Sequence, residues 1–410
     1  MTIALIVISC LLLLAILVVL IFILINQKDE DKLPYLLLTE DPSKSIYIAW
    51  HTVRRSGGTV RYGTSKDCAN SASDKRIARQ HVVKLTGLKP GTEYFYRIEF
   101  TRGSPDSTVK DDFSRLYSFR TAEQGEKNFS FSLFGDPQRP GPNEGVVKLV
   151  KEFNSNFSVC LGDIAASGWL NTDWNTFFTR FRDIFCTKPF AATIGNHDCL
   201  LFGYVRFKYY IPMPAGPGPY SVYSFDYQGV HFVSMNIRWG GRDFTRAQRT
   251  FLEKDLAAAQ GKYRWIIVFL HSTVFSSGDF GTNVRLLKTL KPVLEKYKVD
   301  FVLSGHDHHY ERVEQDGITY IVEGAAGWLD PEEDSVIPGS KIYNVCFSAV
   351  KFTFENGNLK MLAKNTDGAV IDEIHLSKET ANAPVIKTYE MPNPSPKPVI
   401  DRLKIKGRMF

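Results

Sequence analysis

No charged residue occurs between Ile3 and Ile25, and Ser9 is the one polar interruption in that stretch of the 410-residue chain. A helix of this length extends roughly 35 Å at about 1.5 Å per residue, enough to cross a bilayer. Residues 3–25 therefore read as a single-pass membrane anchor. A cleaved signal peptide fits less well, because no basic segment precedes the run, no small-x-small cleavage site follows it, and it exceeds an ordinary h-region. Lys28 and Lys32 bracket three acids, so the orientation is left open. Cysteine is scarce too: there are 6, with no C-x-x-C spacing, which excludes a cysteine-built metal module. Cys10 lies in the anchor, Cys160 in an apolar run that suits a buried thiol, and Cys186 and Cys199 flank a candidate strand as a candidate disulfide. A large charge excess is also absent. The formal net charge is +6, concentrated in residues 33–121 and 381–410, and the near-neutral middle excludes a dedicated nucleic-acid surface there. The triplets Asn128-Phe129-Ser130 and Asn156-Phe157-Ser158 fit a glycosylated catalytic domain on the extracytoplasmic side, although such triplets also arise by chance.

Between Tyr35 and Thr121 helical periodicity is missing as well. Ser45 to Trp50 alternates, Thr59 to Tyr62 follows a Gly-Gly turn, and Glu93 to Phe100 and Leu116 to Arg120 alternate again, which predicts an all-β sandwich over residues 33–122. In Leu88-Lys89-Pro90-Gly91-Thr92-Glu93-Tyr94 the Tyr stands where its hydroxyl can bond the backbone of the preceding corner. This segment resembles a fibronectin type III domain with Trp50 in its core.

After a polar linker at Glu123–Lys127, strands alternate with helices. Strands are predicted at Phe129–Phe134, Phe157–Leu161, Phe190–Ile194, Trp265–Leu270 and Phe301–Ser304. Helices are predicted near Glu144–Phe153, between Thr172 and Phe185, at Arg246–Ala259 and at Val284–Tyr297. Hairpins turn at Gln228-Gly229 and Asn356-Gly357. The alternation implies an α/β domain over residues 128–378 with helices on both faces. Residues 379–410, with Pro392-Asn393-Pro394-Ser395-Pro396, read as an extended basic tail.

Five of the apolar runs end in polar clusters: Gly135-Asp136, Gly162-Asp163, Gly195-Asn196-His197-Asp198, His271, and Gly305-His306-Asp307-His308. Ligands gather beyond the carboxyl ends of strands in such sheets, so the five should converge. Any one of these residues alone reads equally well as a capping acid or a satisfied histidine; it is the repetition at matching strand ends that points to a site. Carboxylates, imidazoles and one neutral amide are what two cations about 3.5–4 Å apart require. Three histidines disfavour magnesium, and the absence of a compact His/Cys set disfavours zinc alone, leaving two ions from iron, manganese or zinc.

The order GD, GD, GNHD, VxxH, GHxH resembles the calcineurin-like metallophosphoesterases, and Gly305 to Arg312 resembles the last motif of the purple acid phosphatases, whose catalytic domain also follows a fibronectin-like one. The resemblance implies a four-layer αββα fold and hydrolysis of phosphoric esters. It makes Asp163 the bridging ligand, puts Asp136 and His308 on one ion and Asn196, His271 and His306 on the other, and makes His197 the general acid with Asp198 orienting it. A hydroxide generated by two Lewis acids would attack phosphorus while His197 protonates the leaving oxygen. His309 is the weaker candidate, better suited to supporting a ligand than touching phosphate; with Tyr310 it is a candidate for the substrate wall. Trp169, Trp239 and Arg242 are further pocket candidates, each equally compatible with ordinary packing.

Two positions depart from the purple acid phosphatase pattern. Ala166 stands where a tyrosinate binds ferric iron and gives the colour, so a colourless centre with two divalent ions is expected. Gln138 stands where related enzymes carry a histidine ligand, and its amide oxygen could bind a hard ion weakly. The leading expectation is a membrane-anchored phosphomonoesterase; the alternatives are a phosphodiesterase or nucleotide pyrophosphatase, and an inactive binding or adhesion protein.

Overall fold

The computed structural model describes residues 2–25, 28–103, 105, 110–138, 143–214, 222–381, 383 and 385–389. The Pro-rich part of the expected tail lies outside them. Its expected beginning does not hold: Ile386–Tyr389 is a strand paired antiparallel with Val370–Ser377, so the domain extends past 378.

The N-terminal helix runs Thr2–Ile25. Among its described side chains the large apolar ones from Leu5 to Ile21 are exposed, apart from half-buried Leu20. Among the described residues no helix is long and apolar enough to cross a membrane.

The sandwich forms as its alternation requires. Ile46–Gly63 is one long strand that pairs with Lys32–Leu37 and Ala78–Leu85 through its first half, and with Asn70–Ser73 and Glu93–Arg102 through its second. The register shift between His51 and Ser56 lets it pass from one sheet to the other. Trp50 is fully buried there and stacks on His81 at 4.7 Å. The Tyr94 hydroxyl accepts the Lys89 backbone N–H at 2.9 Å, closing the corner.

In the second domain Phe129–Phe134, Phe157–Cys160 and Phe190–Ala192 lie parallel in one sheet. Val230–Ser234, Trp265–Phe269, Phe301–Ser304 and Ile318–Glu323 lie parallel in the other. Strand side chains alternate between faces. Phe131, Phe157, Phe232 and Phe352 fill the space between the sheets. Phe134 and Cys160 face outward onto Trp174, Phe177 and Phe181 of the helix Asn171–Phe185, while Val233, Val268 and Val302 face Leu252, Leu256 and Leu286 of the opposite helical layer. The result is the expected αββα order. Gln228-Gly229 and Asn356-Gly357 both have positive φ at each residue, the conformation that matches hairpin twist. The helix expected over Val284–Tyr297 is broken in two, Val284–Thr289 and Lys291–Lys296. Pro292 has no N–H to continue the ladder, and its ring would clash one turn back.

The two domains are continuous rather than merely adjacent. Lys32–Leu37 also pairs in parallel with the Phe190 strand, joining sandwich and catalytic sheet into 13 strands. No disulfide braces them: all 6 cysteines are free, and the pairing expected between Cys186 and Cys199 is not made. Cys186 packs in the sandwich core, whereas the Cys199 thiol accepts from Arg238 at 2.9 Å.

His231 ties the outer hairpin to the helix Arg246–Ala259 through Asp226 at 2.7 Å and Asp255 at 2.8 Å. Burial opposes its protonation, yet the two carboxylates raise it to about 9. A raised histidine stabilises the fold fully below its unfolded value near 6.5, and the contribution fades as pH climbs through 9. Melting temperature is therefore expected to fall between pH 6 and pH 10, and less steeply in His231→Gln; parallel slopes would remove this pair from the pH dependence.

Candidate metal centre

Asp136, Asp163 and the Asn196–His197 pair follow three parallel strands of the first sheet, and His271, His306 and His308 follow two of the second. Parallel strands end on the same side, so the six candidate ligands arrive from two sheets at one rim. The backbone is crowded there. A Cβ on Gly195 would collide with Asp163 Oδ1, and one on Gly305 with Asp136 Oδ2; these glycines are required by close approach. Asp136, Asp163 and His306 have positive φ of 56°, 49° and 71°, a strained setting typical of functional positions.

The carboxylates each use one oxygen on the backbone and keep the other for the site. Asp163 Oδ1 accepts the His197 N–H at 2.8 Å, and its Oδ2 lies 3.4 Å from His271 Nε2. Asp136 Oδ2 accepts the His306 N–H at 3.0 Å; its buried Oδ1 has no hydrogen-bond partner and lies 3.6 Å from His308 Nε2. His271 Nδ1 sits 2.9 Å from the Leu161 carbonyl, which can only accept, so Nδ1 carries the proton. In the neutral ring, Nε2 then presents a lone pair toward Asn196 Oδ1, 2.8 Å away, and toward Asp163 Oδ2. Acceptors facing acceptors in a buried space call for positive charge between them, a proton on Nε2 or a metal ion in its place.

The electrostatics carry the same demand. Burial raises Asp136. Asp163 is lowered to about 2 despite burial, chiefly because His271 faces it. His271 and His308 are raised to about 9 and about 10, burial being outweighed by the carboxylates they face. His306 is pushed down to about 3, first by burial and then by the neighbouring His271. Asp136, Asp163 and His271 place ligand atoms within 4.8 Å of one another. Such a donor set fits two ions, with Asp163 central. Gln138, two residues after Asp136, is buried and its Oε1 also has no hydrogen-bond partner.

His197 bonds the Ala166 carbonyl through Nδ1 at 2.8 Å. This fixes the tautomer and leaves Nε2 as the nitrogen that can carry a transferable proton. The expected role of Asp198 is corrected here. Its two oxygens accept the Ala165 and Gly195 backbone N–H groups, each at 3.0 Å, so it ties the two ligand loops together while the Ala166 carbonyl holds the imidazole. Burial, and then the charge of Asp163, raises Asp198 to about 7. Asp198→Ala leaves two buried donors unpaired and is expected to cost about 1–3 kcal/mol for each, read as a lower denaturation midpoint.

The expected substrate wall is also corrected. His309 is fully buried, bonds Glu311 Oε2 at 3.2 Å and packs on Tyr343. Tyr310 is fully buried and donates to Asp372 at 2.6 Å, beside Arg312 on the same carboxylate. Tyr310 opens the strand Tyr310–Gln315 and His309 immediately precedes it, so both are committed to packing at the start of that strand. Two site residues escaped the sequence reading. Asp330 accepts the His308 backbone N–H at 2.6 Å and sets its other oxygen 3.1 Å from His308 Nδ1, a charge contact beside the ring; it sits in a loop with no motif around it. Phe280 stacks on His306 at 3.9 Å between ring centroids, and its N–H is held by Asp307 at 2.8 Å.

Residues 129–310 match the calcineurin-like phosphoesterase family, and residues 33–121 match the purple acid phosphatase N-terminal domain. The chain carries a calcineurin-like phosphoesterase domain behind a purple acid phosphatase N-terminal domain. Among related chains, an uncharacterized protein of Mycobacterium tuberculosis is 26% identical over 68% of this chain and 61% of its own length. Probable purple acid phosphatase 20 of Arabidopsis thaliana is 26% identical over 69% of this chain and 71% of its own. This chain thus spans about three fifths of the first relative. The structure of purple acid phosphatase PPD1 from yellow lupin seeds has the same fold, with a TM-score of 0.70 at 19% identity over 85% of this chain and 74% of that one.

Proposed function

We propose that the purple acid phosphatase-like domain hydrolyses phosphate monoesters at a dinuclear metal centre held by Asp136, Asp163, Asn196, His271, His306 and His308. The observation that carries this reading is the buried ring of mutually facing acceptors around Asp163. Two bound ions would supply Lewis acidity toward the phosphoryl oxygens and a nucleophile at neutral pH. The chain's own part follows from its geometry. His197, with Nδ1 satisfied by Ala166, gives the proton on Nε2 to the departing oxygen. The Leu161 carbonyl holds His271 in ligating orientation, and Asp330 holds the His308 backbone N–H and sets its charge beside that ring.

The ions are two divalent metals from iron, manganese or zinc. Position 166 offers no phenolate, and the neighbouring candidate phenol, Tyr310, is engaged by Asp372, so the protein is expected to lack charge-transfer colour; a purple preparation would overturn this. The deciding assay compares an aryl phosphate with its diester after metal supplementation. Faster monoester turnover supports the reading, and faster diester turnover would reassign the enzyme as a phosphodiesterase.

We also propose that Thr2–Ile25 is a membrane anchor with the catalytic domain on the extracytoplasmic side. An uncharged helix exposed around its described length has no soluble surface to cover it. Alkaline carbonate should leave the full chain in the membrane pellet, and endoglycosidase should shift its mobility through the exposed Asn128. Release into the supernatant, or an unshifted band, would contradict the anchor or the side respectively.

A further inference from the structure

Outside the N-terminal helix, large apolar side chains are exposed at few places, and five of them fall in one short segment. Leu201 is 59% and Phe202 77% exposed, with Tyr204, Val205 and Tyr209 close behind. The segment begins at His197 and continues through the helix Tyr204–Tyr210. Leu201 and Phe202 sit at positive φ, 47° and 69°, a strained backbone that leaves both side chains in solvent and is held from beneath by close packing of Gly203 on Gly168 and Asp198. Strain maintained in order to display apolar groups calls for a partner.

The nature of that partner follows from where the N-terminal helix joins the body. Lys28 lies three residues beyond Ile25, which at about 3.5 Å per residue is about 10 Å of chain. Its carbonyl accepts from Asn175 Nδ2 at 3.1 Å, and Asn175 Oδ1 accepts from the buried Lys32 Nζ at 2.8 Å. Lys32 lies over the Tyr210 ring at 4.7 Å, and His51, bonded to Asp29 at 2.9 Å, meets the edges of Tyr209 and Tyr210. The helix exit is therefore fastened against the same element that displays the apolar side chains. Tyrosines beside aliphatic residues suit the headgroup boundary of a bilayer.

We infer that the Leu201–Tyr209 segment docks shallowly into the surface of the bilayer that holds the N-terminal helix. This rests on the anchor proposed above. A short, pinned connection leaves the body little freedom to turn, so the segment that starts at His197 faces lipid and the catalytic rim opens along the membrane surface. Phosphoesters presented at that surface are then the substrates within reach.

The test uses the full chain reconstituted in phosphatidylcholine–phosphatidylserine vesicles, with Phe202→Trp compared against Ile386→Trp at an exposed position on the far edge of the sheet. Lipids brominated near the acyl carbonyl should quench most of the emission added at 202 and leave that added at 386. Three results would overturn the inference. Emission at 202 quenched by aqueous acrylamide and not by bromolipid, in a chain that resists carbonate, would leave the anchor standing and the docking wrong. Emission shielded from both quenchers, with the chain running as a dimer, would assign the patch to a second copy. Release by carbonate would remove the anchor and the docking together. No turnover enters the measurement, so failure of the phosphatase reading is seen separately.

Discussion

Replacing His197 with alanine is expected to lower kcat by about 10²–10⁴-fold for esters with poor leaving groups, while both metal ions stay bound. The reason is the separation of its two ring nitrogens. Nδ1 is committed to the Ala166 carbonyl, and the residue's contact with Asp163 runs through its backbone N–H, which alanine keeps. The loss should shrink for nitrophenyl esters, whose leaving oxygen needs no proton. A variant that loses metal, or loses activity equally on good and poor leaving groups, would show that His197 is a ligand or a packing residue instead.

Asp163→Ala is expected to have the largest effect of any single change. Asp163 lies against His271 and accepts the His197 N–H, so its removal takes away the shared ligand and loosens the loop that carries Asn196. Metal content should fall below one ion per chain and turnover by more than about 10⁴-fold. The metal-free protein should lose about 3–5 kcal/mol, because a fully buried imidazole is left without its carboxylate. Asp163→Asn separates the two effects: it should keep much of the stability and still lose metal. If the alanine variant retains two ions, the bridge is wrongly assigned.

Most of the fold could be read from the chain because each layer has its own period. Alternation fixed the sandwich, and the strand–helix alternation fixed the α/β domain; the hairpin at Asn356-Gly357 follows from positive φ at both residues. Pro292 stands inside the stretch Val284–Tyr297 expected as one helix, and the chain forms two there because its ring cannot continue the ladder. The candidate ligands stand out because glycine-acid and glycine-histidine clusters recur at strand ends. Asp198 was misread because adjacency to His197 does not determine direction: in the turn its carboxylate points to the Ala165 and Gly195 amides. His309 and Tyr310 were misread by following the motif instead of the strand. Period two puts His309 with Glu311 on one side, where the two are bonded, and Tyr310 with Arg312 on the other, where both donate to Asp372. Asp330 and Phe280 come from loops, where no period operates and only the folded chain brings them to His308 and His306.

The central claim is that a buried set of facing acceptors around Asp163 holds two ions and hydrolyses phosphate monoesters. It is tested most directly by counting metal per chain after supplementation with iron, manganese or zinc, alongside aryl phosphate turnover on the same sample. Two ions per chain, with activity that rises and falls with the second ion, is the predicted result. Fewer than one ion per chain and no turnover would contradict it and identify the chain as a binding protein on a phosphoesterase fold.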